Sequence, residues 1–183
     1  MKKLYVTRHG LTEFNASERV CGASDISLTP EGLQQAEEMA KKAYAFGDIE
    51  RIIASPMLRA RQTAQAVSNR LSLPVETDNR LREWNYGSFE GKSRLTDGFK
   101  EAKQEFGCKM PDGGESVFQL VYRTYSLLEE LKTCPKNTIL VCHGGVARVI
   151  DSYFHDMTID RFMHFFLGNC EIKIYEIGDT SEL

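Results

Sequence analysis

With 183 residues, 42% of them hydrophobic and 27% charged, the chain has the length of one ordinary domain and enough apolar content to bury a core, which excludes a disordered or low-complexity protein. A net charge of −3 excludes a general nucleic-acid or anionic-membrane surface, so attraction for anions has to come from a few local cations. The five cysteines (Cys21, Cys108, Cys134, Cys142, Cys170) are odd in number, far apart and without Cys-x-x-Cys spacing, which argues against a disulfide framework or a zinc site and suits a reducing cytoplasm.

Helix and strand signals alternate from the start, predicting an α/β layer architecture in a single domain, 1–183. Met1-Lys2-Lys3-Leu4 enters a strand at once, without the apolar stretch of a signal peptide, and no segment has the length to span a bilayer. Leu4-Tyr5-Val6 is that strand. After a loop, Thr29-Pro30-Glu31 opens a helix: threonine caps, proline suits the first position, and glutamate complements the positive dipole end. Leu33, Ala36, Ala40, Ala43 and Phe46 form its stripe, and Gly47 ends it. Arg51-Ile52-Ile53-Ala54 is a short strand. Ser55-Pro56 begins the next helix, with Met57, Ala60, Ala64, Val67 and Leu71 as its buried face, and Pro74–Thr77 is a weaker strand. Residues 80–113 are read as mostly loop, with one helix near 97–106. Ser116 caps a long helix with Val117, Leu120, Val121, Leu128 and Leu131 on one face. Strand 137–142, a helix from Gly144 to Phe154, a short helix near 159–166 and a strand over 171–175 complete the chain.

Arg8-His9-Gly10 follows the first strand and His143-Gly144-Gly145 follows the strand at 138–142, so both histidines fall at strand ends, where open α/β sheets bind ligands. An imidazole attacks phosphorus when it is neutral, aimed in line and facing charge already neutralised by cations. Arg8 suits the last task through its planar fork. Gly10 is expected to let backbone approach a phosphate, and Asn15 to add a neutral donor. Arg59, in the first turn of a helix beginning at a strand's carboxyl end, is placed to join Arg8, while Arg61 reads as a solvated side chain. Amides at the start of the helix at Gly144, with the His143 imidazole, make an oxyanion site.

Glu83 and Glu90 lie in an aromatic, glycine-punctuated loop (Leu81 to Gly91), where partial desolvation raises a carboxyl toward a working acid. For Glu90 a solvated loop position is the better reading. His155 near a helix end is explained by the dipole, and His164 among Phe162, Phe165 and Phe166 is expected to be structural. The histidines lack metal-ligand spacing, and no Gly-x-Ser-x-Gly elbow exists to support a serine esterase.

In order, Arg8-His9-Gly10-x-Thr12-x-x-Asn15, Gly22-x-x-Asp25-x-x-Leu28-Thr29-x-x-Gly32, Ser55-Pro56-x-x-Arg59-Ala60-x-x-Thr63-Ala64, Leu81-x-Glu83-x-x-x-Gly87-x-x-Glu90-Gly91, Pro111-x-Gly113-Gly114-Glu115-Ser116, His143-Gly144-Gly145 and Asn169-Cys170 cover nearly the whole chain. The set resembles the histidine phosphatase superfamily, in its phosphoglycerate mutase-like branch, and is similar to small phosphatases of the α-ribazole phosphate or broad-specificity type. The resemblance implies a three-layer sandwich with a mixed, mostly parallel sheet between helices. It implies His9 as the nucleophile that becomes a phosphohistidine, Arg8, Arg59 and His143 around the phosphoryl oxygens with His143 protonated, Asn15 assisting, and Glu83 as the proton donor. Cys21, Gly22 and Gly144 are taken as further substrate-binding positions, Cys21 standing where relatives often carry a small polar residue.

No metal or cofactor is implied, and the expected partner is a small phosphorylated metabolite in the cytoplasm, not a nucleic acid or a membrane. The leading reading is a metal-independent phosphomonoester phosphatase. The alternatives are a phosphoglycerate mutase, disfavoured by the short stretch between Gly91 and Pro111, and a catalytically silent phospho-ligand-binding relative, disfavoured because His9, Arg59 and Glu83 are all present. Lys92-Ser93-Arg94 is expected to contact an anionic part of the substrate.

Overall fold

Strand β4 (Thr138–Cys142) is buried at every residue, as a strand covered on both faces must be. It pairs in parallel with β1 (Lys2–Arg8) on one side and β2 (Arg51–Ala54) on the other, and β2 pairs in parallel with β3 (Val75–Thr77). Beyond β1 lies β5 (Ile172–Ile177), the one antiparallel strand, so the order is β3-β2-β4-β1-β5. The computed structural model describes residues 2–178.

Alternation along the strands divides the core in two. Leu4, Val6, Ile53, Leu140 and Cys142 face a layer formed by α5 (Val117–Thr133), α6 (Gly144–Phe154) and α7 (Ile159–His164). Tyr5, Ile52, Ala54, Ile139 and Val141 face α2 (Pro30–Phe46) and α3 (Leu58–Leu71). The helices thus flank a mostly parallel sheet, the architecture the sequence implies.

The helix signals hold where their chemistry is local. The Thr29 hydroxyl accepts from the Gly32 amide, Pro30 is the first helical residue, and Gly47 adopts a left-handed conformation (φ 73°) that glycine tolerates without a steric cost. Ser116 caps α5 in a reciprocal box with Gln119. Several expectations need correction. Helix α3 starts at Leu58, not at Ser55, and its first amide is capped from outside by Asp25 Oδ1 at 2.7 Å. Leu33 and Phe46 in the α2 stripe are exposed, the buried face being Ala36, Met39, Ala40 and Ala43. The helix near 97–106 is one turn, α4 (Phe99–Ala102), and α1 (Glu13–Ala16), capped by Thr12, was not anticipated. The last strand runs two residues past its expected end, and α7 stops at His164. Among the described residues, no helix is long and apolar enough to cross a membrane.

Candidate active site

Three central strands end side by side. Arg8 is in register with Cys142, the His9 amide donates to the Cys142 carbonyl at 3.0 Å, and the Ser55 amide donates to Val141 at 2.9 Å. The residues following β1, β2 and β4 are therefore His9, Ser55 and His143, and the two imidazoles lie 5.1 Å apart between ring centres.

His9 is 2% exposed, and its Nδ1 lies 2.7 Å from the Gly10 carbonyl. A carbonyl only accepts, so Nδ1 carries the proton and Nε2 carries the lone pair. Burial first, then the Arg59 and Arg8 charges, push the His9 pKa well below its usual value. The ring is neutral at pH 7, the form a nucleophile needs. The Asn169 amide group fixes the loop by donating to the His9 carbonyl (2.8 Å) and to Asn15 Oδ1 (3.4 Å).

His143 corrects an expectation. Arg59 Nε, which can only donate, points at His143 Nδ1 at 3.2 Å, so Nε2 carries the proton and donates to Ser55 Oγ at 2.7 Å. Burial, Arg59, His9 and Arg8 all depress its pKa. His143 is a neutral donor and not an imidazolium, because three positive or potentially positive neighbours surround it in a dry site. Arg59 is fully buried, as is His143. Its Nη1 donates to the Ser24 carbonyl (2.6 Å), and its Nη2 to the Gly22 carbonyl (2.8 Å) and to Met57 Sδ (3.5 Å).

Arg8, His9, Asn15, Cys21, Glu83 and Gly144 line one cavity of about 140 Å³. Arg59, His143 and Gly22 do not line it; they are buried behind it. Gly22 acts instead as the carbonyl that holds Arg59, and a Cβ there would lie 2.2 Å from both Glu90 Oε1 and the Trp84 carbonyl. The Cys21 thiol is pushed up, mainly by burial. Arg8 Nη1 donates to the Leu167 carbonyl at 3.2 Å, while its Nε is buried with no partner among the described residues.

Glu83 is held by backbone: Oε1 accepts from the Trp84 amide (2.8 Å) and Oε2 from the Gly145 amide (3.0 Å) at the start of α6. The amide expected to serve an oxyanion at Gly145 is thus taken by the carboxylate. A Cβ on Gly145 would meet Glu83 Oε1 at 2.6 Å, so glycine lets the carboxylate keep this orientation. Gly10 is corrected in the same way. Its Cβ position lies 2.4 Å from the Gly32 carbonyl, so it permits the start of α2 to pack on the loop, and it does not line the cavity.

Glu90 is the other correction. It is not solvated in isolation: Oε2 accepts from the Gly22 amide (3.0 Å), the Ser24 amide (3.2 Å) and the Ser24 hydroxyl (2.8 Å), and Oε1 accepts from the Ala23 amide (2.8 Å) and the Tyr86 amide (3.1 Å). It anchors the loop whose carbonyls hold Arg59. Arg94 lines the cavity, but Lys92 is exposed and turned over the Phe89 ring, 5.8 Å from its centre. Arg61 is exposed, as expected. His155 ends α6 as expected, with Nδ1 3.2 Å from the Asp151 carbonyl. His164 is exposed on the last turn of α7 and is no part of the core.

Sequence reasoning missed Arg123. Its guanidinium pairs with Glu115 (2.7 and 2.9 Å) and donates to the carbonyls of Arg80 (2.6 Å) and Glu83 (3.2 Å), tying α5 to the loop that carries Glu83. No local spacing signals this, because the partners are joined only through the fold.

A family model described as histidine phosphatase superfamily (branch 1) matches residues 4–182. A protein of Escherichia coli O1:K1 named probable phosphoglycerate mutase GpmB is 34% identical over 94% of this chain and 84% of its own length. Among solved structures, phosphoserine phosphatase from Entamoeba histolytica, in complex with 3-phosphoglyceric acid, is 30% identical with a TM-score of 0.82, covering 95% of this chain and 90% of its own. A mycobacterial glucosyl-3-phosphoglycerate phosphatase, complexed with VO3, is 26% identical with a TM-score of 0.84, over 95% and 90%.

Proposed function

The chain belongs to branch 1 of the histidine phosphatase superfamily, and on that premise we propose that it is a phosphomonoester phosphatase acting through a phosphohistidine on His9. One observation carries the reading. The buried, neutral His9 spends its Nδ1 proton on the Gly10 carbonyl and keeps Nε2 for a cavity it shares with Arg8, Asn15 and Glu83.

In this mechanism Nε2 attacks phosphorus, the bond to the ester oxygen breaks, and Glu83 gives its proton to the departing alkoxide. Water then attacks the phosphohistidine, Glu83 takes the water proton, and phosphate leaves with His9 restored. Arg8 grips the phosphoryl oxygens through its unpartnered Nε side, with Asn15 and the start of α6 at Gly144 as neutral donors. Arg59 supplies a fixed charge behind His9, and His143 a neutral imidazole. Phosphoryl transfer needs positioning and charge neutralisation more than covalent help, which this arrangement provides.

Hydrolysis is favoured over mutase activity by the phosphatases among the structural neighbours and by the single short helix α4 between Gly91 and Pro111. The mutase reading rests on the name of the curated relative. One assay separates them: phosphate release from small esters in EDTA, with the acid-labile phosphoenzyme trapped in parallel by an alkaline quench and 3-phosphoglycerate isomerisation followed in the same tubes. Release with a trapped intermediate that disappears in His9→Ala is expected. Isomerisation without release would make the chain a mutase, and turnover surviving His9→Ala would overturn the mechanism.

A further inference from the structure

Among the described residues, Glu83 is the one that two cavities share. The first is the cavity of about 140 Å³ that holds His9. The second, of about 400 Å³, has Asn79, Arg82, Glu83 and Asn85 as one wall and Gln119 and Arg123 of α5 as another. A void of that size gives the loop no packed neighbour on that side, so hydrogen bonds have to fix it there. Leu81 and Trp84, on either side of Glu83, are buried in the core. The Glu83 carbonyl between them has a single side-chain partner among the described residues, Arg123 Nη2 at 3.2 Å. Arg123 Nη1 donates to the Arg80 carbonyl at 2.6 Å, so one guanidinium brackets the segment 80–83. Glu115 receives Nε and Nη2 of the same group (2.7 and 2.9 Å), which orients the planar fork before it meets the loop.

Resting on the reading of Glu83 as the proton donor, we propose that Arg123, oriented by Glu115, is a positioning residue for Glu83: it sets where the carboxyl group meets the departing oxygen. The carboxylate alone does not fix that direction. Of its two amide donors, Trp84 belongs to the same loop and moves with it, and Gly145 at the start of α6 is the external hold. One external hydrogen bond permits a swing about itself. Arg123 adds a second fixed point, from α5, at the other end of the residue. It does this without meeting the phosphoryl group, since Arg123 lines the second cavity and not the one with His9. Loss of Arg123 therefore removes no contact to phosphate and lets the loop shift into the empty side. The damage falls on the steps in which Glu83 moves a proton.

The test follows phosphoenzyme formation in single turnovers on two esters. An alkyl phosphate releases an alkoxide that needs a proton as it leaves; para-nitrophenyl phosphate releases a phenolate that is stable without one. Arg123→Met is expected to slow formation about 100-fold on the alkyl ester and less than about threefold on the nitrophenyl ester, as a displaced acid would. Arg123→Lys keeps the charge and part of the hydrogen bonding, so it should fall between wild type and Arg123→Met, and it carries the test if the methionine variant fails to fold. In a Glu83→Gln background, Arg123→Met should add little. Hydrogen exchange reads the same device without turnover: the Trp84 and Gly145 amides should lose protection about tenfold while the β4 amides keep theirs. If wild type forms no phosphoenzyme from either ester, the phosphatase reading fails, and the exchange arm still decides whether Arg123 holds Glu83. Equal slowing on the two esters, losses that add to those of Glu83→Gln, or exchange at Trp84 and Gly145 that is unchanged or no greater than in β4 would overturn the proposal.

Discussion

Glu90→Gln tests how far positioning reaches from the reacting atoms. The carboxylate accepts from four amides and one hydroxyl, and the loop it holds supplies the Gly22 and Ser24 carbonyls that receive Arg59. Glutamine keeps the shape, but its NH₂ group faces at least the two N–H donors on one side of the carboxylate. An unsatisfied buried donor costs about 1–3 kcal/mol, so with two of them the loop loses about 2–6 kcal/mol of its hold. Part of that falls on the free protein as lowered stability. The rest appears as play in the loop and in Arg59, and displacements near 1 Å at such sites cost on the order of 100-fold in rate. The expected result is kcat lowered about 100-fold, equivalent to about 2.7 kcal/mol, with KM much less affected because Arg8 still grips the phosphate. A general loss of structure would move Tm without choosing between kcat and KM. The decisive arm is therefore a double-mutant cycle with Arg59→Lys: if Glu90 acts through Arg59, the double variant is little slower than Arg59→Lys alone. Additive losses, or a Glu90→Gln enzyme within twofold of wild type, would refute the reasoning.

Gly145→Ala puts a methyl 2.6 Å from Glu83 Oε1, and the carboxylate has to turn; turnover should fall most for esters with poor leaving groups, read as a steeper dependence of kcat on leaving-group pKa. Gly10→Ala meets the Gly32 carbonyl at 2.4 Å and should lower stability by about 1–3 kcal/mol in urea melts, since backbone has little room to give. His9 and His143 stay neutral in the folded chain and protonate in the unfolded one below pH 6.5. The unfolded state then binds more protons, so stability is full above pH 6.5 and falls with acidification, by up to about 1.4 kcal/mol per pH unit for each ring. Calorimetric melts from pH 7 to 5 should show a shallower slope in His143→Gln; parallel curves would mean the ring is charged in the fold.

Much of this site was legible because its chemistry is written in short, local text. Residues at the carboxyl ends of β1 and β4, and in the first turn of α3, can meet only at one sheet edge, so Arg8, His9, His143 and Arg59 could be grouped without coordinates. The protonation of His143 was not legible, since it depends on Arg59 Nε pointing at its Nδ1 across 84 residues of sequence. Nor was the role of Glu90: a glutamate between Phe89 and Gly91 looks solvated until the fold brings three amides of a distant loop against it. The same limit hid Arg123 behind Glu83 and the Asp25 cap on α3. Local propensity and capping fix the elements, whereas long-range hydrogen bonds between loops have no periodic signal.

Arg59 shows why the difference matters for mechanism. Four of its five N–H groups have protein partners, in His143, Ser24, Gly22 and Met57, which leaves one for anything else. A guanidinium so committed acts chiefly as an immobile charge. Fixed in a dry site, it depresses the His9 pKa and is already oriented when a phosphoryl group arrives, without reorganising during the step. Arg59→Lys and Arg59→Met separate charge from positioning. Lysine keeps the charge but leaves the Gly22 and Ser24 carbonyls poorly served, while methionine removes both. If charge dominates, Arg59→Lys retains most of the depressed His9 titration, seen by NMR of the imidazole, and loses rate mainly through disorder of the 22–24 loop. Arg59→Met should raise the His9 pKa, while burial, the largest cause of its depression, and the Arg8 charge still hold it below its ordinary value. An unmoved His9 titration in Arg59→Met would assign the depression to burial and Arg8 and leave Arg59 as scaffold.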